Sequence, residues 1–148
     1  MPNTPCLIGQ AASGYAACEG VSDEDCQLVE QFFGSVGTVV PVAEELIDGV
    51  TGLSGSGVAY VYTFIEAMID GGVLVGLARP AARELVLQTV LGAAALVKET
   101  GKHPAELRDQ VTSPGGTTIA ALKVLEETGL RDAVMSAVQA ATDRAKEL

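Results

Sequence analysis

With 148 residues, 48% hydrophobic and 19% charged, the chain can bury a core of its own, and with 4% aromatics and no tryptophan that core must come from Ala, Val, Leu and Ile. The net charge of −10 sits at the start, because residues 1–78 hold ten acids and no base while the rest holds nine of each. Such a surface repels phosphate backbones and anionic headgroups, so nucleic-acid and membrane-surface partners are not expected.

In chain order, residues 10–18 (QAASGYAAC) read as a weak strand turned by Glu19-Gly20. Ser22 followed by Asp25 resembles a capping box with Asp in place of Glu or Gln, and Cys26, Val29, Phe32 and Phe33 share one helical face up to Gly34. The β-branched run at 38–42 (TVVPV) predicts a strand that Pro41 confines to an edge or an end. Two weak strands with one helix are marginal alone, so residues 1–42 are expected to be the tail of a larger α/β domain; a small sheet appended to a helical bundle is the alternative.

From Glu44 onward helices take over: a brief one through Ile47, a long one from Gly57 to about Leu77, one from Pro80 to Glu99, and three beyond Pro104. Pro80 and Pro104 stand where a helix start tolerates proline. The long helix is apolar nearly all round, through Tyr60, Val61, Phe64, Ile65, Met68, Ile69, Val73 and Leu74, and a soluble helix of that kind must be enclosed. An intertwined dimer would enclose it; the central helix of a monomeric bundle is the other solution. The apolar run from Val58 to Ala78 is broken by Glu66 and Asp70, that from Leu85 to Val97 is too short to span a bilayer, and no basic segment opens the chain, so a soluble chain without an export signal is expected. Cys6, Cys18 and Cys26 cannot all pair and fit no CxxC or Cys/His spacing, which predicts a reducing, cytoplasmic setting and no metal site.

Two loops have the composition of ligand sites. TSPGGTTIAAL, residues 112–122, leads into a helix marked by Ile119, Leu122 and Leu125. A helix N-terminus has amides without internal partners and a partial positive charge. Glycines allow close approach, and Ser113, Thr117 and Thr118 add hydroxyls, so an anion fits. With no lysine, and no preceding strand, the loop is not a P-loop; it suits one small carboxylate better than a polyphosphate. An ordinary helix cap is the plainer reading, but a cap needs one hydroxyl. TGLSGSGVAY at 51–60 repeats the device, with Ser54 and Ser56 as expected caps of an outward-facing helix end. It contains no GxGxxG, and no strong strand precedes it.

MPNTP at 1–5, LIDGVTGLSGSG at 46–57, DGGVLVGL at 70–77 and HPAELRDQVTSPGGTTIAALKVLE at 103–126 together resemble the C-terminal part of pyrroline-5-carboxylate reductases, over essentially the whole chain. The resemblance implies a mainly α fold: a helical dimerisation and substrate domain at 43–148 behind a strand-helix-strand remnant of a Rossmann-type domain at 1–42. It implies reduction of 1-pyrroline-5-carboxylate to L-proline by NADPH or NADH, with a homodimer or higher homo-oligomer as the working form. The glycine-rich dinucleotide fingerprint is expected outside these residues, so the chain alone is expected to bind no cofactor and oxidise no NADPH; a purely assembling, non-catalytic module is the alternative function.

By the same resemblance Ser113, Gly115, Gly116, Thr117 and Thr118 hold the substrate, with Thr118 on the ring nitrogen as the catalytic group, and Asn3, Thr4, Ser56 and Val58 meet the cofactor. The family generally has proline where this chain has Val58, which bears on the nicotinamide contact. His103, the only histidine, reads as a helix-start residue with a packing role rather than a proton donor. Glu66 and Asp70 read as paired or capping groups rather than site carboxylates.

Overall fold

The computed structural model describes residues 1–148 and is mainly helical, with two short strands. After a 3₁₀ turn at Thr4–Ile8, β1 (Ala11–Tyr15) is followed by α1 (Asp23–Gly34) and β2 (Gly37–Pro41). The strands pair in parallel from Ala11 opposite Gly37 to Tyr15 opposite Pro41, so α1 is the crossover that a parallel pair requires. Pro41 closes β2, the end position that a residue without an N–H can occupy.

Ser22 caps α1 as its sequence predicts: its hydroxyl accepts from the Asp25 amide (3.1 Å) and donates to the Asp25 carboxylate (2.8 Å). Tyr15 donates to Glu30 at 2.6 Å, tying β1 to α1, and this carboxylate holds the phenolic proton, with the pKa pushed up to about 12. The parallel pair has little cover. Ala11 and Ser13 are buried, β2 is largely exposed, and the Ser13 hydroxyl is enclosed without a hydrogen-bond partner.

The helical part runs through a 3₁₀ turn (Glu44–Leu46), α2 (Ile47–Val50), a π-helical turn (Thr51–Gly55), α3 (Gly57–Leu74), α4 (Arg79–Thr100), α5 (Pro104–Gln110), α6 (Thr117–Glu127) and α7 (Leu130–Ala145). Two compact units result: residues 1–61 with 132–148, and residues 62–131. In the first, α7 rests on the π turn, where a Cβ on Gly52 would lie 2.8 Å from the Val138 carbonyl oxygen and 2.9 Å from the Thr142 amide nitrogen. In the second, Gly72 of α3 lets Ala82 of α4 pack so closely that a Cβ there would stand 2.9 Å from the Ala82 methyl group. Asp70 pairs with Arg79 at 2.8 Å on an exposed surface, while Glu66 lines a groove with Tyr62, Ile69, Arg79 and Arg83.

Few apolar side chains are enclosed: Ala11, Ala82 and Val86 are the buried hydrophobic residues, and α3 buries none. The chain exposes 10478 Å², against roughly 7,100 Å² for a folded monomer of its mass. By length and composition alone, Glu44–Leu74 and Arg79–Thr100 are long and apolar enough to cross a bilayer, a test that core helices also pass. The apolar run of 85–97 lies within the second of these helices, which has 22 residues.

Candidate functional site

The stretch from α5 to α6 is built locally. His103 begins α5 as its N-cap, its Nδ1 accepting from the Ala105 amide at 3.2 Å, and its ring is exposed in the single chain. The Thr112 hydroxyl donates back to the Arg108 carbonyl at 2.7 Å, which takes one of the four hydroxyls out of the site. Ser113, Pro114, Gly115 and Gly116 then form a turn closed by the Gly116 amide on the Ser113 carbonyl at 3.0 Å. Proline in the second position and a glycine with φ of 67° in the third are the type II signature.

Gly116 is the N-cap of α6, in extended conformation, and offers no side chain to the helix. A Cβ on Gly116 would collide with the Ser113 hydroxyl and lie 3.2 Å from the Ser113 carbonyl oxygen, so this glycine gives Ser113 room beside the helix end. The amides of Thr117, Thr118 and Ile119 have no acceptor in the chain, and the hydroxyls of Ser113, Thr117 and Thr118 have no partner. No acidic residue stands in the first turn. Thr118 and Gly116 are half-buried, Ser113 and Thr117 exposed. Chemically this is a helix N-terminus with unengaged donors on backbone and side chains, suited to a small anion. Of the amides from Gly115 to Thr118, that of Gly116 is engaged in the turn. Gly115→Ala is expected to cost about 1–2 kcal/mol of stability by denaturant unfolding, because a Cβ is disfavoured at that φ.

The second glycine-hydroxyl stretch has a different geometry. Residues 51–55 form a π turn continuing from α2, so Ser54 and Ser56 do not cap an open helix end. The Ser54 hydroxyl donates back to the Val50 carbonyl (3.1 Å) and the Thr51 hydroxyl to Ile47 (3.0 Å); the Ser56 amide donates to the Thr51 carbonyl (2.8 Å). The expectation of two alike helix N-termini is corrected here: the preceding helical residues supply the acceptors that a free end would lack.

The cofactor candidates Asn3, Thr4, Ser56 and Val58 lie in the first unit, and the substrate candidates of 113–118 in the second. Asn3 engages both ends of its carboxamide within the protein, accepting from the Ala12 amide (3.0 Å) and donating to the Ser54 carbonyl (3.2 Å). The Thr4 and Ser56 hydroxyls have no partner in the chain. Sequence reasoning did not single out Tyr60 as polar, yet its hydroxyl lies 3.3 Å from the Gly52 carbonyl and 3.2 Å from that of Ala137. The one sequence signal was a tyrosine in the first turn of an apolar helical pattern.

Comparison with known proteins gives one consistent result. The family model described as pyrroline-5-carboxylate reductase dimerisation matches residues 44–148. The chain is 53% identical over all 148 residues to a pyrroline-5-carboxylate reductase of Synechocystis, covering 55% of it, and 52% identical to one of Glycine max, covering 54%. It superimposes on a pyrroline-5-carboxylate reductase from Coxiella burnetii with a TM-score of 0.95, at 42% identity, covering 99% of this chain and 55% of that one. A Plasmodium falciparum pyrroline carboxylate reductase with NADP bound gives a TM-score of 0.92 at 41% identity, with coverage of 99% and 60%. The chain spans about half the length of the curated relatives it matches. Matched along its whole length in sequence and in fold, it belongs to the pyrroline-5-carboxylate reductase family.

Proposed function

We propose that the chain supplies the substrate seat and the dimer interface of a reductase that converts 1-pyrroline-5-carboxylate to L-proline with NADPH or NADH. Residues 1–42 then end the cofactor-binding domain, and residues 43–148 form the helical domain. The observation that carries this reading is the start of α6, where three amides and three hydroxyls have no partner in the chain. A cyclic imine with one carboxylate matches that set: the Thr117 and Thr118 amides and the Ser113 hydroxyl grip the carboxylate, and the Thr118 hydroxyl holds the ring nitrogen. Orientation does most of the work, since an iminium carbon already accepts hydride and the nitrogen ends protonated.

Thr4, Ser56 and Val58 fit a place against the cofactor, because the first two present unengaged hydroxyls; the carboxamide of Asn3 is already satisfied. The bound nicotinamide supplies the hydride. A second copy of the chain covers the apolar faces of α3 and α4, where Tyr62, Leu85 and Leu91 are 61%, 59% and 64% exposed. Three free cysteines fit a reducing, cytoplasmic setting.

A non-catalytic assembly module is favoured by one observation, that the matching family model is named for dimerisation. Two experiments decide. Crystals soaked with L-proline are expected to place its carboxylate on the Thr117 and Thr118 amides; a carboxylate bound elsewhere counts against the site. Joined behind the dinucleotide-binding half of the Synechocystis relative, the chain is expected to oxidise NADPH in the presence of 1-pyrroline-5-carboxylate. A well-folded, NADPH-binding fusion without turnover favours the assembly module.

A further inference from the structure

A π turn shifts the backbone hydrogen bond from the fourth to the fifth residue and disturbs the ladder around it, so such turns persist where other groups compensate. Here two carbonyls of the turn meet side-chain donors. The Gly52 carbonyl faces the Tyr60 hydroxyl, and the Ser54 carbonyl accepts from Asn3 Nδ2. The two donors come from different parts of the chain: Asn3 lies 51 residues before Ser54, and Tyr60 also reaches Ala137, 77 residues on.

Asn3 is itself held firmly. The nitrogen of Met1 donates to the Gly14 carbonyl at 2.8 Å and the Gly14 amide returns a bond to Met1 at 3.0 Å, which lays the segment along β1. The Asn3 carbonyl accepts from the Cys6 amide at 3.2 Å, and its Oδ1 takes the Ala12 amide. The Ala12 amide can only donate and the Ser54 carbonyl can only accept, so one orientation of the carboxamide satisfies both. Asn3 therefore ties the strand to the carbonyl that precedes Gly55, Ser56 and the start of α3.

We infer that Asn3 and Tyr60 are positioning residues that hold the π turn at 51–55, and through it Ser56 and Val58, in the geometry that hydride transfer requires. This rests on the reductase reading for its use in catalysis, but the clamp itself does not. A side chain whose hydrogen bonds are both engaged sets backbone geometry, and a small misplacement at a distance from the chemistry lowers turnover more than it lowers affinity.

The test has two arms. In the 148-residue chain, Asn3→Asp keeps the acceptor for Ala12 and replaces the donor to Ser54 with a repelling oxygen; Tyr60→Phe removes only the hydroxyl. Hydrogen exchange at the Ser56 amide, which closes the π turn on Thr51, is expected to speed up by about tenfold or more in each variant, while amides of α1 keep their rates. In the fusion with the Synechocystis half, each variant is expected to lower kcat by about tenfold with KM for 1-pyrroline-5-carboxylate within about twofold, and Asn3→Ala is expected to behave as Asn3→Asp does. Unchanged exchange at Ser56 overturns the clamp. Faster exchange with unchanged kcat overturns the positioning role. An unsubstituted fusion that binds NADPH and folds but does not turn over strikes the reductase reading, and the exchange arm then decides the clamp alone.

Discussion

Thr118→Ala is expected to lower kcat/KM for 1-pyrroline-5-carboxylate by about ten- to a hundredfold, or about 1.4–2.8 kcal/mol of transition-state stabilisation. The physical basis is specific to this position. Thr118 is half-buried in the first turn of α6, and its hydroxyl has no partner in the chain, so the substitution leaves no buried group unsatisfied and removes only what the hydroxyl offers a ligand. Alanine is also the better helix former, so the fold is expected to persist and melting temperature to hold or rise slightly. Steady-state kinetics on the fusion described above, beside a thermal melt, separate the two effects. Kinetics that stay at the unsubstituted level would remove Thr118 from the reaction.

The second large effect concerns association. Phe64 on α3 is 43% exposed and Leu91 on α4 is 64% exposed, within apolar surfaces that one copy of the chain leaves uncovered. Covering a side chain of this kind contributes about 1.5–3 kcal/mol when burial is complete. In a two-fold symmetric dimer each substitution counts twice. Phe64→Asp and Leu91→Asp also put a carboxylate where the partner would exclude water, which adds a desolvation cost. Each variant is therefore expected to weaken the dimer by at least about a hundredfold, read by sedimentation across a dilution series. Melting temperature of the unsubstituted chain should rise with concentration, as it must when folding and association are coupled. Dimers of both variants that resist dilution like the unsubstituted chain would place the interface elsewhere.

What could be read without a structure follows from the range of the interactions. The Ser22 cap closes on Asp25 three residues on, the turn at 113–116 closes within four residues, and the proline positions follow from a missing N–H. Each is fixed by neighbours in sequence. The helical phase from residue 57 was legible for the same reason, although the helix ends at Leu74 rather than near Leu77, and its nearly all-round apolar character already required enclosure. His103 was placed correctly at a helix start, but only the folded structure shows that its ring is exposed in the single chain and accepts through Nδ1.

By itself, then, the sequence determined the longer helices, the Ser22 cap, the helix start at His103, the glycine-hydroxyl loop ahead of α6 and the need for cover. Tertiary structure alone decided which of the two glycine-hydroxyl stretches keeps a free helix end. At 117–119 no group in the chain accepts from the amides, and they stay open. At 51–55 the backbone is already helical, and Asn3 and Tyr60 satisfy its carbonyls from outside. Both stretches are rich in glycine and hydroxyls; at 51–56 acceptors on Ile47, Val50 and Thr51 close the backbone locally, and the Asn3 contact, from 51 residues before Ser54, is the part that local pattern does not encode.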